Sequence, residues 1–335
     1  MIPIRYHRGL ELPAHGFWLD PHCARPFAFV SHAHSDHIAS HAEVVASIAT
    51  ARLMRARLGG RRLEHLLEFG ERREFRDFAI TLLPAGHILG SAQSFVETGA
   101  GSLLYTGDFK LRPGLAAEPA EWRHADTLIM ETTFGLPRYR MPPTAEVIAQ
   151  IVAFCREALS DGTTPMLLAY SLGKAQEAVC ALLAAALTPM LHDAVFKMTE
   201  LHRELRPGFP TGYVRFAAED IAGKVLICPP NAKPSAALAH LPKPRTAVLT
   251  GWALDPRAKY RYRCDAAFPL TDHADYPDLL RYVDLVQPRC VLTLHGFAAD
   301  FAADLRERGV EAWALSEDDQ LELPLHDRGR RALAE

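Results

Sequence analysis

Apolar positions along the chain come in two textures. Up to about residue 131 they form short runs bounded by turn residues, at 26–30, 78–84, 94–98, 103–106 and 128–131. Runs this short predict strands. Beyond residue 144 the spacing becomes helical. Val147, Ile148, Ile151, Val152, Phe154 and Cys155 predict a helix over 144–159, stopped at Asp161-Gly162. A strand over 165–170 and a helix over 173–186 follow, then strands over 223–228 and 245–250. This alternation predicts a small α/β unit with a parallel sheet. A helix over 276–286, a strand over 290–294 and a helix over 297–308 close the pattern. The class is α/β, in a core that leaves for an inserted unit and returns.

The strand run at 26–30 ends in Ser31-His32-Ala33-His34-Ser35-Asp36-His37. Three imidazoles and a carboxylate within six residues are ligand types that zinc and manganese accept. On a loop leaving a buried strand, His32 and His34 can face one side. Asp36 and His37, at the expected start of a helix, can face the other. Chance histidines in a polar loop account poorly for such an order. Two more donors sit at expected strand ends: His87, flanked by Gly86 and Gly90, and Asp108 after Gly107. Each alone reads equally well as a turn residue. Together they complete two sites, with an aspartate between ions about 3.5–4 Å apart, an arrangement suited to phosphoester cleavage.

Composition changes this picture little. The chain has 335 residues, enough for one large or two smaller domains. Six scattered cysteines without a CxxC pair argue against a disulfide framework and a zinc–thiolate cluster. No apolar run is long enough to span a bilayer, and the N-terminal residues do not read as a secretory signal. A cytoplasmic location is expected. The net charge of -3 argues mildly against a nucleic-acid partner, though a local basic groove remains compatible with it.

His32-Ala33-His34-Ser35-Asp36-His37, then His87, then Asp108, resembles the metal-binding series of metallo-β-lactamase-fold hydrolases. Asp20, in Phe17-Trp18-Leu19-Asp20, resembles that fold's first motif, an aspartate that orients the ligands. Met130-Glu131-Thr132-Thr133, Thr271-Asp272-His273 and Leu294-His295-Gly296 resemble motifs A, B and C of the β-CASP nucleases. The resemblance implies an αββα sandwich with an inserted α/β β-CASP cap: core 1–140, cap 141–264, core again 265–335. It implies one divalent ion on His32, His34, His87 and Asp108, and a second on Asp36, His37, Asp108 and His295, with zinc, manganese or iron as the metal. His273, polarised by Glu131, would protonate the leaving oxygen.

Within that group, the segments at 131–139, 169–177 and 271–276 are similar to bacterial ligase-associated DNA damage response exonucleases. This implies a DNA exonuclease working with an ATP-dependent DNA ligase and a DEXH-box helicase. His295 is shared with RNA-processing members, so an RNA-processing ribonuclease stays open. A small-molecule ester or thioester hydrolase of the same fold is the third reading, disfavoured by the size of the insertion.

Possible substrate contacts are less distinctive. Arg257, Lys259, Arg261 and Arg263 alternate with Tyr260 and Tyr262; in an extended chain they form one cationic face, for phosphates or as a solvated edge strand. Ser171 and Lys174 open the helix expected from 173, where an anion contact and a plain helix cap are equally good readings. Arg138 and Arg140 flank Tyr139 as a third candidate, and Arg61, Arg62, Arg72 and Arg73 read as surface.

Overall fold

The computed structural model describes residues 2–232, 241 and 244–315. Residues 233–240 and 242–243 of the expected cap, and 316–335 of the expected return segment, lie outside the described residues.

Three sheets organise the chain. The first runs β1 (Arg5–Tyr6), β2 (Leu10–Leu12), β3 (Phe17–Leu19), β4 (Phe27–Phe29), β5 (Glu43–Ser47) and β6 (Leu63–Leu67) in that order. The second contains β7 (Arg72–Glu74), β8 (Ala79–Pro84), β9 (Ala92–Thr98), β10 (Gly101–Tyr105), β11 (Thr127–Glu131), β18 (Cys290–Leu294) and β19 (Ala312–Ala314), again in spatial order. Two residue periods explain their packing. Ile80 and Leu82 of β8, Leu103 and Tyr105 of β10 and Ile129 of β11 share one core with Leu12, Phe17, Leu19, Phe29 and Val45 of the first sheet. The alternate residues Leu83, Leu104, Leu128 and Met130 face a second core instead. A strand buried on both faces reads as an unbroken apolar run, which is why these strands stood out in the sequence.

Helices cover the outer faces. Leu279, Tyr282, Val283 and Val286 of the helix Tyr276–Val286, and Phe301, Ala302 and Leu305 of the helix Ala298–Glu307, complete the second core. Leu53 and Met54 of α1 (Ile48–Leu58) pack on Val44 beside the first sheet.

Between β11 and β18 the chain builds a third, all-parallel sheet. Its order is β14 (Val214–Arg215), β13 (Pro189–Leu191), β15 (Val225–Cys228), β12 (Thr164–Leu168), β16 (Pro244–Leu249) and β17 (Ala266–Phe268). The helices α2 (Thr144–Ser160) and α3 (Lys174–Ala184) pack on one face through Val147, Ile151, Phe154, Ala178 and Leu182. On return, β18 pairs in parallel with β11. No helix among the described residues is long and apolar enough to cross a membrane. No disulfide joins any of the six cysteines, all of which lie among the described residues.

Two local expectations are corrected. Residues 257–263 are not extended. Ala258–Arg261 is a short helix, closed by Tyr260 and Arg261 N–H groups donating to the Arg257 carbonyl. Asp255 accepts from the Arg257 backbone N–H at 2.9 Å and pairs with Arg257 and Arg261 at 3.3 and 3.2 Å. These local bonds outcompete a strand, and the four cations share no strand face. Likewise, no helix starts at Asp36. His34 to His37 is a turn closed by the His37 N–H on the His34 carbonyl at 3.1 Å, and the next helix begins at Ile48 under its Ser47 cap.

Candidate metal centre

The candidate residues converge because each follows the carboxyl end of a strand. Asp20 follows β3, the His32–His37 loop β4, His87 β8, Asp108 β10, Glu131 ends β11, and His295 follows β18. The Ala92 N–H bonds the Ser31 carbonyl at 2.8 Å, tying the two sheets together at this edge. Gly86 supports His87. Its φ is +78°, and a Cβ there would lie 2.2 Å from the Lys110 carbonyl oxygen, so only glycine fits.

Ligand atoms of His32, His34, His87 and Asp108 all lie within 4.8 Å of one another. His34 Nδ1 is 3.0 Å from His32 Nε2 and 3.1 Å from His87 Nε2. Asp108 Oδ2 is 3.7 Å from His32 Nε2, 3.9 Å from His87 Nε2 and 3.4 Å from His37 Nε2. Tetrahedral zinc with nitrogen ligands at about 2.0–2.1 Å places its ligand atoms ~3.3 Å apart. The observed edges straddle that value.

Hydrogen-bond partners decide which nitrogens are bare. His34 Nε2 meets the Leu172 carbonyl at 3.1 Å, and His87 Nδ1 meets the Asp272 carbonyl at 2.8 Å. A carbonyl only accepts, so each ring carries its hydrogen on that side. His34 Nδ1 and His87 Nε2 therefore present lone pairs to each other at 3.1 Å, an arrangement that a shared cation would satisfy. Burial, followed by the neighbouring His87, pushes His34 down to about 3, and burial pushes His87 down to about 4. Burial and the surrounding imidazoles hold His32 well below its ordinary value. All three rings are neutral, as metal ligands must be. The donor set fits a divalent ion.

His37 belongs to a different environment. Burial opposes its charge, but Asp108 and Asp20 outweigh burial and raise it well above its ordinary value. Asp20 Oδ2 takes His37 Nδ1 at 3.0 Å and the Tyr105 hydroxyl at 2.9 Å, while Oδ1 accepts the Ser31 N–H at 2.7 Å. Asp20 adopts φ +43°, a strained value held by these three bonds. We expect Asp20→Ala to weaken metal affinity about 10- to 100-fold by releasing the His37 ring, read by metal titration of the folded variant. Unchanged affinity would mean that His37 does not depend on this carboxylate.

On the far side, His273 Nδ1 lies 2.7 Å from Glu131 Oε1. Burial alone would lower His273, but the Glu131 charge and hydrogen bond raise it to about 9. His273 Nε2 remains 3.7 Å from Asp272 Oδ1. Asp36 is exposed beside His37, with 4.0 Å between Oδ2 and Nε2. His295 sits at φ +59° with its ring centre 6.3 Å from that of His37, and burial lowers its pKa. A cleft of about 480 Å³ joins these residues, with Ser171, Lys174 and Thr250–Trp252 from the third-sheet segment on its walls.

Lys174 is buried and its ammonium is paired with Asp272. Gly173, not Ser171, caps the helix. Arg257, Lys259, Arg261 and Arg263 are not among the residues lining the cleft. Arg138 lies over the rings of Tyr139 and Phe297 at 5.0 and 5.5 Å. Sequence reasoning missed Asp272, whose carbonyl orients His87 and whose side chain holds Lys174. Its position beside His273 was the available signal. It also missed Tyr105, the Leu172 carbonyl and His22, whose ring stacks on His295 at 6.4 Å; nothing local marks these.

No family model matches the chain. It is 54% identical over 322 residues to a protein of Opitutus terrae named a probable DNA ligase, covering 96% of this chain and 32% of that protein. It is 32% identical over 173 residues to the transcription termination factor FttA of Pyrococcus abyssi, covering 46% of this chain and 27% of that protein. It is 33% identical over 136 residues to the 5′ exonuclease Apollo of Gallus gallus, covering 38% of this chain and 30% of that protein. The chain thus spans about a third or less of these relatives. A solved structure of a protein of unknown function from Enterococcus faecalis V583 shares the fold, with a TM-score of 0.58 at 14% identity over 88% of this chain and 80% of the other. The chain is therefore similar over nearly its whole length to one part of a much longer protein.

Proposed function

We propose that the chain is a two-metal phosphodiesterase of the metallo-β-lactamase and β-CASP kind, acting as a DNA exonuclease in repair. The observation that carries this reading is the pair of facing lone pairs on His34 and His87 inside a His3Asp cluster, with the Glu131–His273 pair across the same cleft. In this reading the described residues of 1–140 and 265–335 form an αββα core and those of 141–264 a cap.

His32, His34, His87 and Asp108 would hold one divalent ion, and Asp36, His37, Asp108 and His295 a second, of zinc, manganese or iron. Bound there, the ions supply Lewis acidity and an activated water. The protein's own groups do the rest. Glu131 is itself fixed by the Phe109 and Thr133 N–H groups at 3.2 and 3.0 Å, and it holds the hydrogen on His273 Nδ1. His273 Nε2 is left to protonate the departing oxygen.

The match of nearly the whole chain to part of a protein named a probable DNA ligase supports a role beside a DNA ligase; that the ligase is ATP-dependent and that a helicase joins it rest on the sequence resemblance alone. The second reading, RNA cleavage, draws on His295 in the cleft and on the likeness to proteins named transcription termination factors. Metal ions do not distinguish the sugars, so the choice lies in contacts around the 2′-position. A time course on end-labelled single-stranded DNA and RNA of matched sequence, with manganese or zinc, separates them. We expect progressive shortening of DNA. Preferential RNA loss would move the protein to the second reading, and inertness toward both would sink the nuclease assignment.

A further inference from the structure

The third sheet contains a topological switch. β12 and β16 are neighbours, yet the chain leaves β12 through α3 toward β13 on one side and leaves β16 toward β17 on the other. In open parallel sheets, ligands bind in the crevice outside the carboxyl ends of such strands. Tyr170 lies two residues past β12 and Trp252 three residues past β16, and both line the cleft that holds His34 and Asp108.

The loop carrying Tyr170 is built tightly. Ala169 and Leu172 are buried, the Ala169 N–H bonds the Cys228 carbonyl at 3.0 Å, and Gly173 at φ +93° packs against Ile88. Within that frame the Tyr170 ring is 60% exposed, and its hydroxyl has no hydrogen-bond partner among the described residues. The Lys174 ammonium lies 5.3 Å from the ring centre. A cation against one face steadies the ring and leaves the other face open. Leu172, whose carbonyl touches His34, is two residues away. Consecutive Cα atoms are about 3.8 Å apart, so the Tyr170 Cα lies within about 8 Å of the Leu172 Cα, on the wall of the cleft that His34 also lines.

We propose that Tyr170 is the stacking subsite for an unpaired terminal base, placed so that the adjoining phosphodiester reaches the His/Asp cluster. This rests on the phosphodiesterase reading above. A paired base offers its face to its neighbours in the duplex, whereas a frayed or single-stranded end offers it to the protein. Stacking on a π-face is tolerant of sequence and of sugar, so the subsite selects single-stranded ends without choosing DNA over RNA.

The test compares single-stranded oligonucleotides whose terminal nucleotide carries a base or is abasic, for the wild type, Tyr170→Ala and Tyr170→Trp. The wild type should prefer the base-bearing end by about five- to a hundredfold in kcat/KM. Tyr170→Ala should lose that preference, and Tyr170→Trp should keep it. In metal-depleted protein, a terminal 2-aminopurine should be quenched by the wild type and by Tyr170→Trp but not by Tyr170→Ala. Equal preference in wild type and Tyr170→Ala, with quenching unchanged, overturns the subsite while leaving the nuclease reading intact. Failure of the wild type to cleave these oligonucleotides and bis(p-nitrophenyl) phosphate with any metal overturns both.

Discussion

Replacing Asp108 with alanine is expected to cost about a thousandfold or more in phosphodiester hydrolysis and to strip bound metal, while the chain stays folded. The expectation follows from position. One carboxylate oxygen lies 3.4–3.9 Å from the nitrogens of His37, His32 and His87, so it can serve both halves of the centre. Burial opposes its charge, yet the His37 cation and hydrogen bond outweigh burial and hold Asp108 well below the ordinary carboxylate value. Its folded value is depressed, so its electrostatic contribution is present above about pH 4 and is lost as pH falls through the folded value. The backbone around it is unaffected by the side chain, because its contacts are to imidazoles, and His37 keeps Asp20. Metal content after gel filtration, thermal melting and turnover on one preparation check the claim. A folded variant with full metal and full activity would remove Asp108 from the centre. Asp108→Asn should behave like alanine, since it keeps the volume but not the charge.

His273→Ala should lower turnover by about 10²–10⁴-fold with metal content intact. His273 faces the cleft from the return segment, and its firm partner is Glu131 rather than the four-residue cluster. The pH profile distinguishes an acid from a bystander. With a value raised to about 9, His273 is protonated through neutrality, and the protonated fraction falls as pH rises through 9. The wild-type rate should therefore carry an alkaline limb near that pH. Glu131→Gln keeps the shape but removes the charge. Burial then weighs more heavily, with only Asp108 and Asp272 left to raise His273, and the limb should move to lower pH. The same raised value means that the pair's contribution to stability is complete below about pH 6.5 and disappears as pH rises through 9. An unmoved limb in Glu131→Gln, or loss of metal in His273→Ala, would reject the assignment of acid and carboxylate.

Much of this was legible in residue order. The HxHxDH loop, His87, Asp108, Glu131, His273 and His295 stand out because donors of metal-binding type recur just after apolar runs. Those runs are continuous because the second sheet is buried on both faces. The helix Tyr276–Val286 and the strand Cys290–Leu294 match their expected bounds, since strong periodicity and clear turn residues delimit them. β1, β2 and β3 escaped notice because strands of two or three residues carry too little pattern. The alternating Arg and Tyr residues at 257–263 misled for a related reason. A period of two predicts a strand only where a neighbouring strand can take its hydrogen bonds, and here Asp255 and local backbone bonds took them first.

Residue order by itself determined the chemistry on offer: which donors, on which strand ends, and an α/β unit set between two parts of a mixed core. Tertiary structure decided how those donors are used. The Leu172 and Asp272 carbonyls, distant in sequence from the rings they touch, fix which nitrogen of His34 and His87 is bare. Lys174, on the cleft wall, is paired with a carboxylate 98 positions away, and Tyr170 is left open at a switch that exists only once the third sheet is ordered. The physical reason is common to all three. A side chain's type is local, but its protonation, tautomer and exposure depend on partners that the chain brings together only by folding.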